Sequence, residues 1–553
     1  CELEHARRSN FPDYTALSYT WGSSSDTRPI YVDGGLVEAG VNLEEALRAL
    51  RDHTPTRVLW CDQLCINQGD DAEKSDQVQQ MKEIYSDATR VIAWLGPAAD
   101  NSDALMSRLR ELDLVSDESA DHSALLASYA RDEELTWIPK AFDDFCKRSY
   151  WRRLWVIQEF AVAKDLYVLC GSAMLSAAHL ANAVQSLFKL QGQIHDHVFR
   201  SEKIPCGLET MERSYSSSAL SFVMAITTRR SRHHNSDPSR SDSLFRVLVT
   251  SLVLEIDYNH PDCTDARDRV FSVLGLATDA ADFEGFPDYS KGSEEVYEEL
   301  TRKLLQKGEI DILSYCQFPR KIRDREMSSW APDWDTPIRR PCAKSPWFSS
   351  FSASGDTLAE QEVCFPSPRA LTLKVVFVDF VEKVGNLWDP DWMSTLEPGD
   401  IMSYLAEIWT LCEESPRIQE DEKAAATSRI AIADRLVATT PELQSASVAL
   451  WAALVQKFGP QATTVQPASS ENTSFERLLT VYMEQFKNLH SRRPFRSRTG
   501  YVGLAPAGAI NGDVVVVILG GKTPYVLRAR AEGGYTLVGE VYVHGIMYGE
   551  LLK

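Results

Sequence analysis

The segment Tyr150–Ala163, YWRRLWVIQEFAVA, sets a single carboxylate, Glu159, among aromatic and aliphatic side chains, with Arg152 and Arg153 one to two helical turns before it. A lone carboxylate in apolar surroundings is costly and is driven toward its neutral form. Either Glu159 pairs with an arginine and locks its helix to a neighbour, or it is held in a pocket that excludes water and positions it for chemistry. On a helix the arginines are within reach, so spacing alone leans toward the ion pair. Asp62, at the end of RVLWCD, and Asn67 and Gln68 in the following QLCINQGD loop are the next candidates. They fit a ligand contact at a strand end and, equally, a loop in which Asp and Asn side chains bond nearby backbone N–H groups. Glu73, in the first turn of the next helix, fits support of the helix dipole.

Other chemistries lack their signatures. Cys61 and Cys65 are separated by three residues, His195 and His197 lie far away, and no second pair stands at a finger or ribbon spacing, so no metal site is expected. There is no Gly-x-Ser-x-Gly elbow, Walker loop or Gly-x-Gly-x-x-Gly fingerprint; LGGKTP, around Gly521, has the lysine and threonine without the upstream glycine spacing. Arg267, Asp268 and Arg269 fit a capping and ion-pair cluster at a helix start.

The elements that must position these residues alternate in period from Tyr14 to Gly96. YTALSYTWG reads as a strand, PIYVDGGLVEAG as a hairpin turning at Asp33-Gly34-Gly35, and NLEEALRALRDH as a helix capped by Asn42 with Glu45 three residues on. RVLWCD and RVIAWLG read as strands buried on both faces. Between them, DAEKSDQVQQMKEIYSDA reads as one helix with Val78, Met81, Tyr85 and Ala88 on a stripe. Strands alternating with helices predict an α/β fold with a parallel, helix-flanked sheet, whose ligand crevice lies beyond the strand carboxyl ends, beside Asp62 and Trp21.

Residues 99–148 read as helical around an exposed acidic stretch, DLVSDESADHS, residues 150–163 as one helix, and DLYVLCG as a strand closing a first domain near residue 172. A mostly helical middle region, 173–340, holds a basic, Ser-rich surface loop, TTRRSRHHNSDPSRSDS, and a helix in CTDARDRVFSVLGLATDA capped by Thr264 or Asp265. The last region, 341–553, combines a helical segment, DEKAAATSRIAIADRLVATT, with a β-rich end that predicts a small barrel or sheet.

The 553 residues carry a formal charge of −21, which opposes binding to nucleic acids or anionic membranes. No apolar run is long enough for a membrane span, and the first residues show no signal peptide. Eleven singly scattered cysteines fit reduced thiols in the cytoplasm.

Taken together, YTALSYTWG, LWCDQLCINQGDDAEKSDQVQQMKEIYSDATRVIAWLG and YWRRLWVIQEFAVA stand in the order and separation of a known domain. The chain resembles the HET (heterokaryon incompatibility) domain proteins of filamentous fungi. CTDARDRVFSVLGLATD, PDYS at Pro287–Ser290, SWAPDW at Ser329–Trp334 and the glycine-punctuated C-terminal strands look like their extended form. The resemblance implies self/non-self recognition and the cell death that follows fusion of incompatible cells.

HET domains are in turn distantly similar to TIR domains, flavodoxin-like modules of immunity, some of which cleave NAD. That likeness implies a TIR-like sheet and NAD or a related nucleotide as substrate, with no bound cofactor. TIR helices carry Trp-Cys-x-x-Glu with a catalytic glutamate. Here Trp155-Val156-Ile157-Gln158-Glu159 keeps the interval, but Val156 replaces the cysteine and Arg153 stands where TIR domains often have serine. On this likeness Glu159 is the catalytic residue and Trp21 or Trp155 a stacking surface. Asp62, Asn67 and Gln68 shape the pocket mouth, and Arg152 or Arg153 meets the diphosphate. The chemistry fits one carboxylate, because nicotinamide leaves neutral while oxocarbenium charge develops on the ribose. The competing implication is a non-catalytic signalling scaffold; homo-oligomers are expected in either case.

Overall fold

The computed structural model describes residues 1–6, 12–23, 25–51, 58–111, 137–186, 218–235, 242–253, 261–318, 320, 326–342, 351–389, 398–435, 482, 485, 486, 489 and 491–552. The chain forms two compact units: residues 1–252 with 256–292, and residues 253–255 with 293–553.

The first unit opens with β1 (Thr15–Ser18), followed by the hairpin strands β2 (Thr27–Val32) and β3 (Gly35–Gly40). The hairpin closes through Asp33 and Gly34, at φ 51° and 76°, the left-handed pair that matches strand twist in a two-residue turn. Helix α1 (Val41–Arg51) buries Leu43, Ala46 and Leu50 at helical spacing. Asn42 lies inside this helix rather than capping it: its amide donates to the Thr20 carbonyl at 2.6 Å and its Oδ1 accepts from Trp94 Nε1 at 3.0 Å. Two polar bonds to a neighbouring strand end thus outweigh a local cap.

Strand β4 (Leu59–Trp60) is short and half-buried, because it lies at the sheet edge rather than in its centre. After α2 (Asp62–Cys65), the expected single helix divides at Gln80 into α3 (Asp71–Gln79) and α4 (Met81–Asp87). Asp70 starts α3 by accepting from the Ala72 and Glu73 amides. Buried strand β5 (Arg90–Trp94) follows, then α5 (Ser102–Glu111) and α6 (Trp137–Cys146). The acidic stretch between the last two falls outside the described residues, as do His195 and His197.

The segment 150–163 is also two helices, α7 (Ser149–Arg152) and α8 (Val156–Val162). Arg153 between them is extended, at φ −71° and ψ 126°, and forms a parallel bridge with Asp262. The Asp262 amide donates to the Arg152 carbonyl at 2.5 Å and the Leu154 amide to the Asp262 carbonyl at 3.0 Å, which satisfies the backbone where the helix is interrupted.

Strands β6 (Leu166–Cys170) and β7 (Ala173–Ser176) complete the sheet, in the order β4-β1-β5-β6-β7. The first four strands are parallel and β7 runs against β6. Counting only its own strands, the order is 2-1-3-4-5, that of flavodoxin-like sheets, with the fifth strand reversed. The topological switch point therefore falls between β1 and β5.

Helices α9 (Ser218–His234), α10 (Leu244–Leu252) and α11 (Asp268–Leu274) belong to this same unit, which thus runs well past residue 172. Arg230 on α9 donates to the carbonyls of Phe160, Ala163 and Lys164 at the end of α8, placing a cation at a helix C-terminus. The basic segment read as a loop is helical from Thr227 to His234; residues 236–241 fall outside the described residues.

The second unit begins with α12 (Ser293–Gln306). It continues through β8 (Cys364–Ser367), β9 (Ala370–Thr372), β10 (Val375–Val384), α13 (Pro398–Glu413) and α14 (Lys423–Ile430). The six strands β11 (Arg492–Ser497), β12 (Val502–Pro506), β13 (Val514–Ile518), β14 (Pro524–Ala529), β15 (Tyr535–Glu540) and β16 (Tyr542–Val543) join β10 in one antiparallel sheet. Its order is β15-β14-β13-β10-β11-β12-β16, with β10 in the middle. Helices α13 and α14 pack Tyr404, Ile408, Leu411 and Ile430 into one cluster with Phe486, Leu504 and Tyr542. The sheet needs glycine at 503, where a Cβ would come within 1.9 Å of the Tyr542 carbonyl oxygen.

Candidate functional site

The residues with chemical potential gather at the carboxyl end of β1. Strand alternation turns Ser18 inward, and β1 ends there against α8, which carries Glu159 in its first turn. Ser18 Oγ donates to Glu159 Oε2 and is 2.9 Å from the Tyr150 hydroxyl. Ser18, Tyr150 and Glu159 are all buried, Glu159 with no exposed surface. Its second oxygen, Oε1, has no hydrogen-bond partner among the described residues. Burial raises the Glu159 carboxyl from 4.5 to about 7, against the opposing pull of Arg153 and the Ser18 and Tyr85 hydroxyls, while Asp62 adds to the rise. Near neutral pH the group is poised between its two protonation states.

One layer outward is a second network. Asp62 Oδ2 accepts from Trp21 Nε1 at 2.8 Å and from Arg153 at 3.0 Å, while its Oδ1 accepts from the Gln63 amide at 2.8 Å. Arg153 also donates to the Tyr19 carbonyl and lies 5.6 Å from the centre of the Trp21 ring, a cation–π distance. Trp21, Asp62 and Arg153 are therefore brought together, as an ion pair under an indole. The guanidinium engages Asp62 rather than Glu159, so the expected Arg–Glu pair is replaced by a serine–carboxyl contact.

The other expected members fall elsewhere. Asn67 Oδ1 accepts from the Gly69 amide at 3.1 Å, and the Gln68 amide donates to the Asp62 carbonyl at 3.2 Å, so both fix the loop. Glu73 accepts from the Asn67 amide at 3.0 Å, a local loop contact alongside its place near the start of α3. Arg152 points away, to Asp262 at 3.2 Å. Trp155 is buried and donates to Asp268 at 3.0 Å rather than forming part of an open surface. Asp268 also accepts from the Tyr289 hydroxyl at 2.5 Å, and burial raises its carboxyl. Of the capping and ion-pair cluster expected at 267–269, Arg267 pairs locally with Asp265 at 2.7 Å, while Asp268 and Arg269 are buried.

Ser18, Tyr150, Tyr85 and Arg148 were missed from the sequence. Arg148 donates to the Leu95 and Pro97 carbonyls, both at 2.9 Å, and closes the end of β5 beside the switch point. The one available signal was Ser18, a hydroxyl that closes the strand after Ala16 and Leu17.

No group of three or more His, Cys, Asp or Glu residues able to hold a metal occurs among the described residues. In the second unit, a cavity of about 600 Å³ is lined by Ser354, Asp356, Gly520, Gly521 and Lys522. Its glycine turn does not cradle an anion. The amides of Gly520, Gly521 and Lys522 are spent on Thr357 Oγ1, the Ile518 carbonyl and Asp311 Oδ1. Among the described residues, no helix is long and apolar enough to cross a membrane.

The paired site lies within a segment that matches known proteins. Residues 14–159 match the heterokaryon incompatibility protein (HET) family, and residues 468–553 match the Het-6 beta-barrel domain. The chain thus carries a HET segment near its start and a Het-6 barrel segment near its end. It is similar to Heterokaryon incompatibility protein 6, OR allele, of Neurospora crassa, at 27% identity across 98% of this chain and 90% of that protein. No solved structure matches the chain.

Proposed function

We propose that this protein serves fungal self/non-self recognition and the cell death that follows it, with the HET domain acting as a non-catalytic signalling module that self-associates. The observation that carries this reading is the complete enclosure of Glu159, whose carboxyl is held by Ser18 behind an Arg153–Asp62 pair. A carboxylate must come within hydrogen-bond reach of the ribose to act on it, and enclosure opposes that approach. Apolar surface for association is present on the hairpin, where Tyr31, 69% exposed, faces Leu36, 61% exposed, across the strand pair.

NAD glycohydrolysis at Glu159 is the second reading. It is favoured by the unpartnered Oε1, the carboxyl raised to about 7, and the placement of Ser18 where the sheet order reverses. The test is incubation of the purified full chain with NAD, following nicotinamide release at low and high protein concentration. No release, together with concentration-dependent association weakened in Tyr31→Ser/Leu36→Ser, is the expected result. Release by the wild type that disappears in both Glu159→Gln and Glu159→Ala would overturn it in favour of the hydrolase.

A further inference from the structure

Two thiols flank the residue that holds the outer network together. Cys61 precedes Asp62 at the end of β4 and Cys65 closes α2, with the Cys65 amide donating to the Cys61 carbonyl at 2.9 Å. One helical turn separates the two Cα atoms by about 6 Å, inside the span a disulfide bridges. That backbone bond stacks Cys65 one turn above Cys61 on the same short helix. Cys61 is buried at 3% exposure, whereas Cys65 is half-buried. The pair is therefore asymmetric, with one thiol open to a small oxidant and the other waiting behind it. The neighbouring sulfur draws the Cys65 thiol down from the usual cysteine range and pushes the Cys61 thiol up, with burial adding to the rise at Cys61.

We propose that Cys61 and Cys65 form a peroxide-responsive thiol pair, with Cys65 as the reacting sulfur and Cys61 as the resolving one, whose closure to a disulfide displaces Asp62 from Arg153 and Trp21. The Cys65 thiolate attacks one oxygen of hydrogen peroxide and becomes a sulfenic acid, releasing hydroxide. The Cys61 sulfur then attacks the sulfenic sulfur, and water leaves with the Cys61 proton. The two thiols lose two electrons in all, and the peroxide is reduced to water. Asp62 lies next to Cys61 in the chain and inside the new ring, and its carboxyl is fixed by three partners. Bending α2 to close the bridge moves that carboxyl, leaving Arg153 with the Tyr19 carbonyl.

The test treats the full chain with hydrogen peroxide, alkylates the remaining thiols and digests with trypsin. Val58–Lys74 holds both cysteines and no internal Lys or Arg. The expected product is this peptide lacking two hydrogens and carrying no alkyl group. In Cys61→Ser, Cys65 accumulates a sulfenic acid that a cyclic 1,3-dione traps; in Cys65→Ser, Cys61 stays alkylatable. Amide exchange in Val156–Val162 is expected to be roughly tenfold faster in the oxidised wild type than in the reduced one. A doubly alkylated Val58–Lys74 after the exposed Cys364 has been oxidised would overturn the pair. A disulfide that leaves amide exchange unchanged would overturn its hold on Asp62. Neither outcome depends on nicotinamide release or on self-association.

Discussion

Ser18 and Glu159, 141 positions apart in the chain, meet through a serine hydroxyl donated to a carboxylate oxygen, with Tyr150 on the far side of the same hydroxyl. This contact ties the end of β1 to the first turn of α8, and its cost is an acid held in an apolar interior.

That cost has a sign in pH. A carboxyl raised from 4.5 to about 7 binds its proton more tightly folded than unfolded, so stability falls as pH rises between those values and stays low above them. Glu159→Gln removes the titration. It is expected to flatten the pH dependence of urea unfolding across this window and to gain up to about 3 kcal/mol on wild type above pH 7. A wild-type slope unchanged by the substitution would show that Glu159 does not titrate there.

Arg153→Met is expected to be among the most damaging single changes in the first unit. It strands Asp62, whose side chain is 7% exposed, and removes the charge that restrains the Glu159 carboxyl. Breaking a buried pair from one side costs about 3–5 kcal/mol. The pH at which Glu159 titrates should also move upward. Denaturant unfolding at two pH values separates these effects, and a loss below about 1 kcal/mol would mark the pair as exposed in solution.

Asp268→Ala leaves the Trp155 indole N–H and the Tyr289 hydroxyl without their shared acceptor in a buried site. A loss of about 2–4 kcal/mol is expected, with Asp268→Asn milder because one acceptor oxygen remains. Thermal unfolding of the two variants side by side checks the ranking.

Gly275→Ala tests the packing behind the site. An added methyl would stand 2.4 Å from Gln158 Oε1 and 2.9 Å from Lys82 Cβ, so the Gln158 side chain of α8 must turn aside and the Lys82 turn of α4 must give. The expected loss is about 1–3 kcal/mol, with increased amide exchange in α8 as the accompanying sign.

What the sequence made legible follows from the range of the forces involved. The hairpin at Asp33-Gly34 and the run VVVVI of β13 are encoded by turn chemistry and local pattern, and both form as expected. The parallel sheet is also readable, because β5 and β6 are continuous apolar runs. The division of 150–163 was not readable, since it depends on a backbone bridge from Arg153 to Asp262, far along the chain. The same distance hid the site: periodicity puts Arg153 within reach of Glu159 but says nothing of Asp62 or Ser18, which claim those two side chains instead.

Strand β10 gives the C-terminal module an unusual dependency. It lies before the matched stretch 468–553, yet among the described residues it is the sole ladder joining the trio β13, β14 and β15 to the trio β11, β12 and β16. A fragment cut at the family boundary would carry two raw strand edges in place of one continuous sheet, an invitation to pair with other molecules. The matched segment and the foldable sheet therefore have different ends, and a boundary drawn at the former severs the latter.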